Sequence, residues 1–333
     1  MGLSNLTENR RVNSAKPGPS LVGDLVGRLE IRMLALAVAL GAALSLLSPH
    51  FLTSNNLWNV LDQSVVVGIV AIGMTFVILI GGIDLSVGSV AGLTGVLLGR
   101  GLEHFPIPVA IVLAVFAGMA VGLFSGTLIA RFGLPAFVVT LGVMAIGRSL
   151  AYIFSGATAI ADLPENFGDI VYTSVLGVPA NVLTLLVLYG LAWAYLNFTK
   201  GGRTIYAIGS NREAARTAGL NVLVFSILPY VISGALSTVA ITFSSAQVMS
   251  IDPVAGTGLE LDAIAAVVIG GASLYGGRGS ILGTLIGVLI MVMIRNGLNL
   301  LNVSPFWQGS AIGAVIIAAV LIERLLSSRV FSR

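Results

Sequence analysis

The chain has 333 residues, a formal net charge of +3 and a mean hydropathy of +1.02, with 56% hydrophobic and 9% charged residues. So few polar residues cannot coat a soluble globule, and the composition therefore predicts an all-α, polytopic membrane protein. The absence of cysteine excludes disulfides and thiol catalysis, two isolated histidines cannot build a zinc site, and the small positive charge is typical of cytoplasmic loops, not of a nucleic-acid partner.

Residues 1–28 are polar, and no signal-peptide cleavage site follows the first apolar run, so we expect a flexible cytoplasmic tail. A transmembrane domain over 29–326 and a cytoplasmic C-terminal tail over 327–333 are expected to follow. A helix needs about 20 apolar residues to cross a bilayer, and the apolar runs predict about ten spans. Their predicted limits are 31–48, 62–81, 85–100, 107–130, 134–155, 179–198, 224–249, 260–276, 279–301 and 306–326.

The basic residues favour ten spans with both termini in the cytoplasm. In that orientation 14 of the 17 Lys and Arg residues fall in cytoplasmic segments, as the positive-inside rule requires. Of the other three, Arg148 and Arg295 fall within predicted spans and Arg100 lies at an outer end. The loop over 156–178 carries acidic residues but no Lys or Arg, and we expect it to be periplasmic.

Two groups of four spans, 62–155 and 224–326, have similar lengths. An offset of five crossings gives the groups opposite topology, as in an inverted repeat. The third and eighth spans occupy equivalent positions, and both are short and interrupted by glycine, which is typical of segments beside a transport pathway. A weak sequence echo accompanies them, in which Ile83-Asp84 followed by Gly88 matches Ile251-Asp252 followed by Gly256.

A turn rich in glycine and polar residues precedes the third span. Gly81 and Gly82 permit a chain reversal, while Asp84, Ser86 and Ser89 place polar groups at the start of a helix. Two interpretations stay open at this point. Either Asp84 caps the short helix at a membrane surface, or it lines or gates a transport path.

Two arginines fall inside predicted spans, where insertion of a charge costs about 2.5–3.5 kcal/mol. Arg148 therefore needs a carboxylate, helix-end carbonyl groups or a role in a pathway. Arg295 adjoins two asparagines, whose amides either join helices or bond the hydroxyl groups of a substrate. The candidate substrate-pathway residues are Asp84, Ser86, Ser89, Arg148, Asn296 and Asn299.

Between the sixth and seventh spans, residues 210–219 predict a short cytoplasmic helix. Ser210 and Glu213 have the spacing of a capping box, and Gly219 suits a left-handed stop, so the helix is expected over about 211–218. Two turns are too few to be stable alone. One side of this helix carries alanines and another carries arginines, which indicates contact with other parts of the protein or with a partner.

Five stretches resemble, in order, the permease subunits of the ribose, xylose, arabinose and galactofuranose ABC importers. They are 81–89, 133–142, 207–216, 276–284 and 296–307, and the resemblance covers roughly residues 55–322. It implies a pathway formed by two permease subunits in the bacterial inner membrane. It also implies two cytoplasmic ATP-binding domains and a periplasmic sugar-binding protein.

The same resemblance implies a role for the short cytoplasmic helix. E-A-A at 213–215, Gly219 and I-L-P at 227–229 are similar to the loop by which ABC permeases dock their ATPase, although the spacing after the glycine is shorter here. The ATPase-coupling residues that this implies are Ser210, Asn211, Arg212, Glu213, Ala214, Ala215, Arg216 and Gly219. The chain lacks G-x-x-x-x-G-K-[ST], so ATP and magnesium are expected in the partner ATPase and no cofactor on this chain.

These features predict a permease subunit, not an enzyme, that imports a monosaccharide of the pentose or furanose type at the cost of ATP hydrolysed by a partner. A secondary sugar transporter or facilitator is the alternative, but it would not need a cytoplasmic docking helix. A membrane-embedded enzyme would need a catalytic constellation, and the sequence offers none. The sequence identifies neither the sugar nor whether the two permease subunits are identical.

Overall fold

The computed structural model describes residues 29–175, 177–304, 307–311, 313–314, 317 and 321. The predicted tails and most of the tenth predicted span lie outside these residues. The helices are α1 (Leu29–Leu47), α2 (Ser54–Leu79), α3 (Val87–Leu102), α4 (Ile107–Phe132), α5 (Ala136–Ser155), α6 (Asp169–Tyr172), α7 (Ala180–Phe198), α8 (Lys200–Ser210), α9 (Arg212–Thr217), α10 (Val222–Val248), α11 (Leu259–Ile269) and α12 (Ile281–Leu300).

Within the described residues, seven helices are long and apolar enough to cross a membrane, namely α1, α2, α4, α5, α7, α10 and α12. The first nine predicted spans each overlap a helix, and residues 307–311 in the tenth are helical as well. The two predicted short elements, α3 and α11, have 16 and 11 residues. The protein is therefore a polytopic helical membrane protein with two short helices in the predicted places.

Helix α2 begins eight residues before the predicted start at 62. Thr53 is its N-cap, and the side-chain oxygen of Thr53 accepts the N–H of Asn56. The predicted limit falls at Asp62 because the apolar runs are divided at charged residues. In the structure, the amide nitrogen of Asn181 donates to that carboxylate at 2.7 Å. A polar partner on α7 thus permits the acidic residue within the helix.

The eighth predicted span, 260–276, is longer than the helix found there. Helix α11 ends at Ile269, and Gly271 has a φ of +88°. Residues with other side chains rarely adopt this conformation, so the glycine favours a turn at the end of the helix. The remaining predicted residues form the α11–α12 loop, residues 270–280.

The most extensive helix pairing among the described residues is between α4 and α10. Two glycines permit this close approach, because a Cβ on Gly118 would overlap the carbonyl oxygen of Gly234, and a Cβ on Gly234 would overlap that of Gly118. Small residues at helix interfaces are characteristic of packing in membranes, where dispersion contacts replace the hydrophobic effect. The long α10 also packs on α2 and α3 and so forms the centre of the bundle.

The segment over 156–178, predicted as a loop, contains short ordered elements. A 3-10 helix (Glu165–Gly168) leads into α6, and β1 (Ser174–Val175) pairs antiparallel with β2 (Val178–Pro179). The backbones of Ile160 and Ile251 exchange hydrogen bonds of 2.8 and 2.9 Å. This segment therefore covers the end of the bundle where α10 stops.

Candidate functional site

The segments that lead into the two short helices each contain an aspartate that bonds the backbone two residues later. In the α2–α3 turn, residues 80–86, Oδ1 of Asp84 accepts the backbone N–H of Ser86 at 3.0 Å. In the α10–α11 turn, residues 249–258, Oδ1 of Asp252 accepts the backbone N–H of Val254 at 2.9 Å. Both are Asx turns, which a short carboxylate side chain favours. The sequence echo around these two aspartates thus corresponds to a repeated conformation.

The glycines that end the two echoes lie against each other. A Cβ on Gly256 would lie 2.5 Å from the carbonyl oxygen of Gly88, and a Cβ on Gly88 would overlap the carbonyl oxygen of Gly256. Gly256 also has a φ of +81°, which favours glycine. The first turn of α3 and the α10–α11 turn, far apart in sequence, therefore meet through direct backbone contact.

Asp84 is buried in the protein, with 4% of its surface exposed. The Ser86 hydroxyl donates to Oδ1 of Asp84 at 2.6 Å, and the Ser233 hydroxyl on α10 donates to Oδ2 at 2.8 Å. The N-cap residue of α3 is Ser86, and its side chain makes no capping bond. Asp84 therefore holds the turn that leads into α3 and ties it to α10, and it does not cap the helix directly. Ser89 donates to the carbonyl oxygen of Ser86 at 2.9 Å.

Arg148 on α5 has carbonyl partners. Its Nη1 donates to the carbonyl oxygen of Pro253 at 2.6 Å and to that of Ala255 at 3.2 Å. Both oxygens belong to the α10–α11 turn, so the arginine stabilises that turn from the side. Gly92 on α3 leaves room for this contact, since a Cβ there would lie 3.0 Å from Nη1.

A cavity of about 580 Å³ lies between α5, α3 and the α10–α11 turn. This volume is within the range of small-molecule sites, about 300–1,000 Å³. Its lining consists of Ser89, Met144, Ala145, Arg148, Ser149, Tyr152, Thr257 and Glu260. Two predicted pathway residues, Ser89 and Arg148, are thus brought together, whereas Asp84 and Ser86 are not part of the lining. Sequence reasoning missed Glu260, although an acidic residue inside a predicted span was a signal that could have found it.

The other predicted pathway residues join helices. The side chains of Asn56 and Asn296 exchange two hydrogen bonds, of 3.0 and 2.8 Å, between α2 and α12. Asn299 accepts from the amide of Gln308 at 2.6 Å. Arg295 forms an ion pair of 2.8 Å with a carboxylate oxygen of Asp262 on α11. A paired arginine and bonded amides are what close helix packing in a membrane requires.

The ion pair between Asp262 and Arg295 lines further cavities on the opposite side of the α10–α11 turn. Their volumes are about 230 and 350 Å³. Thr257 lines both the larger of these and the cavity beside Arg148. Thr257 in the α10–α11 turn therefore lies between a space that contains Arg148 and Glu260 and one that contains Asp262 and Arg295.

Helix α9 is shorter than predicted and its cap is different. Oδ1 of Asn211 accepts the N–H of Ala214 at 2.9 Å, so Asn211 is the N-cap. Ser210 is the last residue of α8, and the predicted capping box is therefore wrong. Gly219 has a φ of +77° and donates its N–H to the carbonyl oxygen of Arg216 at 3.0 Å. This confirms the predicted left-handed stop.

The side chains of α9 divide into an exposed and a buried set. Ala215 is 4% exposed and packs into the protein. The exposed set comprises Arg212, Glu213, Ala214, Arg216 and Thr217. A partner that binds α9 would therefore meet the arginines, Glu213 and Ala214, but not Ala215.

Helix α8, which the sequence patterns did not predict, attaches α9 to the bundle. A Cβ on Gly209 would overlap the carbonyl oxygen of Leu79 at the end of α2, and the N–H of Gly277 donates to the same oxygen at 2.8 Å. The Tyr206 hydroxyl donates to a backbone carbonyl of the α11–α12 loop at 2.9 Å. Burial, together with the carboxylate of Glu30, raises the pKa of Tyr206 above its ordinary value, so this hydroxyl keeps its proton.

Residues 56–320 match the family described as "Branched-chain amino acid transport system / permease component". The chain is 43% identical over 301 residues to the ribose import permease protein RbsC of Escherichia coli strain K12, and this alignment covers 89% of the chain and 94% of the relative.

Further relatives give the same result. The chain is 41% identical over 287 residues to RbsC of Bacillus subtilis strain 168, covering 85% of the chain and 89% of the relative. It is 36% identical over 299 residues to the D-allose transport system permease protein AlsC of E. coli K12, covering 89% and 90%. No solved structure matches.

Proposed function

The chain belongs to the family described as the permease component of branched-chain amino acid transport systems, and we propose that it is the membrane-spanning subunit of an ATP-driven monosaccharide importer. The observation that carries this proposal is its identity of 43% to a ribose import permease over 94% of that protein. The similarity to a D-allose permease extends the substrate class to monosaccharides beyond ribose. Within this class, the sequence favours a sugar of the pentose or furanose type.

The proposed topology has about ten spans with both termini in the cytoplasm of a bacterium and the protein in its inner membrane. The predicted distribution of Lys and Arg supports this orientation. In this topology the cytoplasmic tails are residues 1–28 and 327–333, and the permease domain is residues 29–326. The coupling helix within about 210–219 then lies in the cytoplasm.

Two inverted groups of four spans are part of the same proposal. They are supported by the two Asx turns before the short helices and by the contact between Gly88 and Gly256. The helix pairings support them as well, since α3 packs on α4 and α10, while the corresponding α11 packs on α12 and α2. Paired broken elements that meet inside the bundle are typical of transporters with inverted repeats.

A second permease subunit is proposed to cover the cavity beside Arg148. Ala145, Ser149 and Tyr152 form an exposed stripe along α5 at its mouth. Contact of a cavity that contains arginine and glutamate with lipid is unfavourable. A second subunit on this stripe would enclose the cavity and make it part of a shared pathway.

The proposed ATPase-coupling surface is the exposed side of α9 and the end of α8. Ser210, Asn211, Arg212, Glu213, Ala214, Arg216 and Gly219 form or border this surface, whereas Ala215 supports it from within. The partner ATPase binds ATP and magnesium, and a periplasmic sugar-binding protein delivers the substrate. Of the predicted pathway residues, Ser89 and Arg148 remain candidates for direct contact.

Uptake by purified components tests this function. The chain is assembled with its ATPase in proteoliposomes together with the sugar-binding protein, and labelled ribose, allose, xylose and arabinose are supplied. We expect uptake of one of them to require ATP and the binding protein. Uptake driven by an ion gradient without ATP would instead establish a secondary transporter, and uptake of leucine but no sugar would overturn the substrate class.

A further inference from the structure

A carboxylate without a partner faces the cavity beside Arg148. Glu260 lies in the first turn of α11, and its Oε2 lies 2.5 Å from where a Cβ on Gly88 would be. Within the described part of the chain, Glu260 makes no hydrogen bond or ion pair, whereas Asp262 two residues later is paired with Arg295. A carboxylate left unpaired inside a membrane protein is unfavourable unless it serves a ligand or water.

Glu260 is half-buried and lies away from the end of the bundle. Its neighbour Gly88 is 11 residues from Gly99 along α3, which is about 16 Å at 1.5 Å per residue. Gly99 in turn contacts Ile160 and Ile251 at the end of the bundle. Glu260 therefore lies well away from that end of the bundle. The N-terminal ends of α3 and α11, both close to it, favour a negative charge here.

A donor group with spare hydrogens faces the same cavity. Arg148 uses Nη1 for two carbonyl oxygens, while Nε and Nη2 have no partner among the described residues. Arg148 and Glu260 both line the cavity but form no ion pair with each other. The cavity thus offers a fixed donor and a fixed acceptor that do not satisfy one another.

These features define the ligand chemistry. A sugar hydroxyl donates and accepts at the same time, so adjacent hydroxyls of one ring can meet Glu260 and Arg148 together. Hydroxyl groups from Ser149, Tyr152 and Thr257 add to the lining. The volume of about 580 Å³ exceeds what one monosaccharide needs and leaves room for water.

We propose, on the basis of the sugar import proposed above, that the permease itself binds a monosaccharide in this cavity, with Glu260 accepting from its hydroxyls and Arg148 donating to them. Glu260 is then a specificity-determining residue that acts after the binding protein has released its sugar. The carbonyl bonds of Arg148 keep its guanidinium in place whether or not a sugar is bound.

Protection of an introduced cysteine measures this binding without transport. The chain has no cysteine, so Ser149→Cys places one thiol at the cavity, and its labelling by a methanethiosulfonate reagent is followed in the permease–ATPase complex in nanodiscs. We expect ribose or allose to slow the labelling. Glu260→Gln in the same background should raise the sugar concentration needed by about tenfold or more, the loss of a charged hydrogen bond.

Glu103 provides the matched control. It is an exposed glutamate that pairs with Arg100 at 2.8 Å and lies outside the cavity. Glu103→Gln should leave protection by sugar unchanged. If Glu260→Gln prevents assembly, Glu260→Asp keeps the charge, moves it back by one methylene and should weaken protection by a smaller factor.

Three results would overturn the proposal: no protection by any monosaccharide, equal protection in Ser149→Cys with and without Glu260→Gln, or protection by leucine in place of sugar. Uptake with the binding protein, measured in parallel, separates this from the proposed function. Sugar uptake without protection refutes the binding site and leaves the importer intact. If no sugar is taken up, the proposed importer function is refuted. The proposed binding site is judged separately, only by whether a sugar slows labelling of the introduced thiol.

Discussion

The two Asx turns allow the role of Asp84 to be measured against an internal control. Asp84 accepts three hydrogen bonds, two from Ser86 and one from Ser233, and it is buried. Asp252 accepts one, from Val254, and it is exposed. Asp84→Ala removes three hydrogen bonds from a buried site, whereas Asp252→Ala removes one hydrogen bond near solvent.

The expected magnitudes follow from these counts. A hydrogen bond contributes about 0.5–1.5 kcal/mol net, so Asp84→Ala should lower the free energy of unfolding by about 3 kcal/mol and Asp252→Ala by about 1 kcal/mol. Asparagine at position 84 keeps one carbonyl oxygen for Ser86, and the Ser233 hydroxyl can rotate to accept from the new amide. Asp84→Asn should therefore cost only about 1 kcal/mol.

Thermal unfolding of the detergent-solubilised complex checks these values. At about 2 °C per kcal/mol for a chain of this size, the midpoint should fall by about 6 °C for Asp84→Ala and by about 2 °C for each of the other two variants. Equal midpoints for Asp84→Ala and Asp252→Ala would refute the reasoning. ATP-dependent uptake then separates the two roles of Asp84: normal uptake by Asp84→Asn indicates a turn-holding residue, and lost uptake at normal stability indicates gating by the charge.

Three further predictions concern packing, topology and coupling. Gly209→Ala places a Cβ on the carbonyl oxygen of Leu79 and should lower the free energy of unfolding by about 1–3 kcal/mol. The control is Gly190→Ala, which has open space around it and should not lower the unfolding midpoint. A thiol introduced by Ser174→Cys, in an exposed strand, should react with a membrane-impermeant reagent on spheroplasts; labelling only after permeabilisation would invert the proposed topology. Ala214→Glu on the exposed side of α9 should reduce co-purification of the ATPase without loss of the permease from the membrane, and unchanged co-purification would exclude this surface.

Apolar length and glycine placement predicted most of the fold. The spans at 107–130 and 134–155 coincide closely with α4 and α5, because no charge interrupts the first and a glycine–proline turn separates the two. The start of α2 was missed because Asp62 was read without its partner Asn181, 119 residues away. Single-sequence reasoning cannot supply such a partner.

The site was predictable only in part, for a similar reason. The polar character of Arg148 and Ser89 marked them as unusual within a membrane segment, and both line the cavity. Asn296 carries the same signal, yet it binds the amide of Asn56. A polar residue in a span therefore shows that a partner is needed, but only the fold decides whether that partner is a helix or an open cavity.

The contacts of α8 indicate how an ATPase at α9 could act on the cavity. The carbonyl oxygen of Leu79 contacts Gly209 of α8 and accepts the N–H of Gly277, and these contacts leave no space for a side chain at Gly209. Leu79 is the last residue of α2, before the turn that leads into α3, and Gly277 lies in the loop that follows α11. The contact between Gly209, Leu79 and Gly277 therefore lies next to the connections of both short helices. Backbone groups packed this closely have no free space into which one of them can shift alone. We therefore expect a displacement of α8 to move α3 and α11 together. Gly88 and Glu260, which lie on these helices, would then shift relative to Arg148 on α5, and one wall of the cavity would move with them.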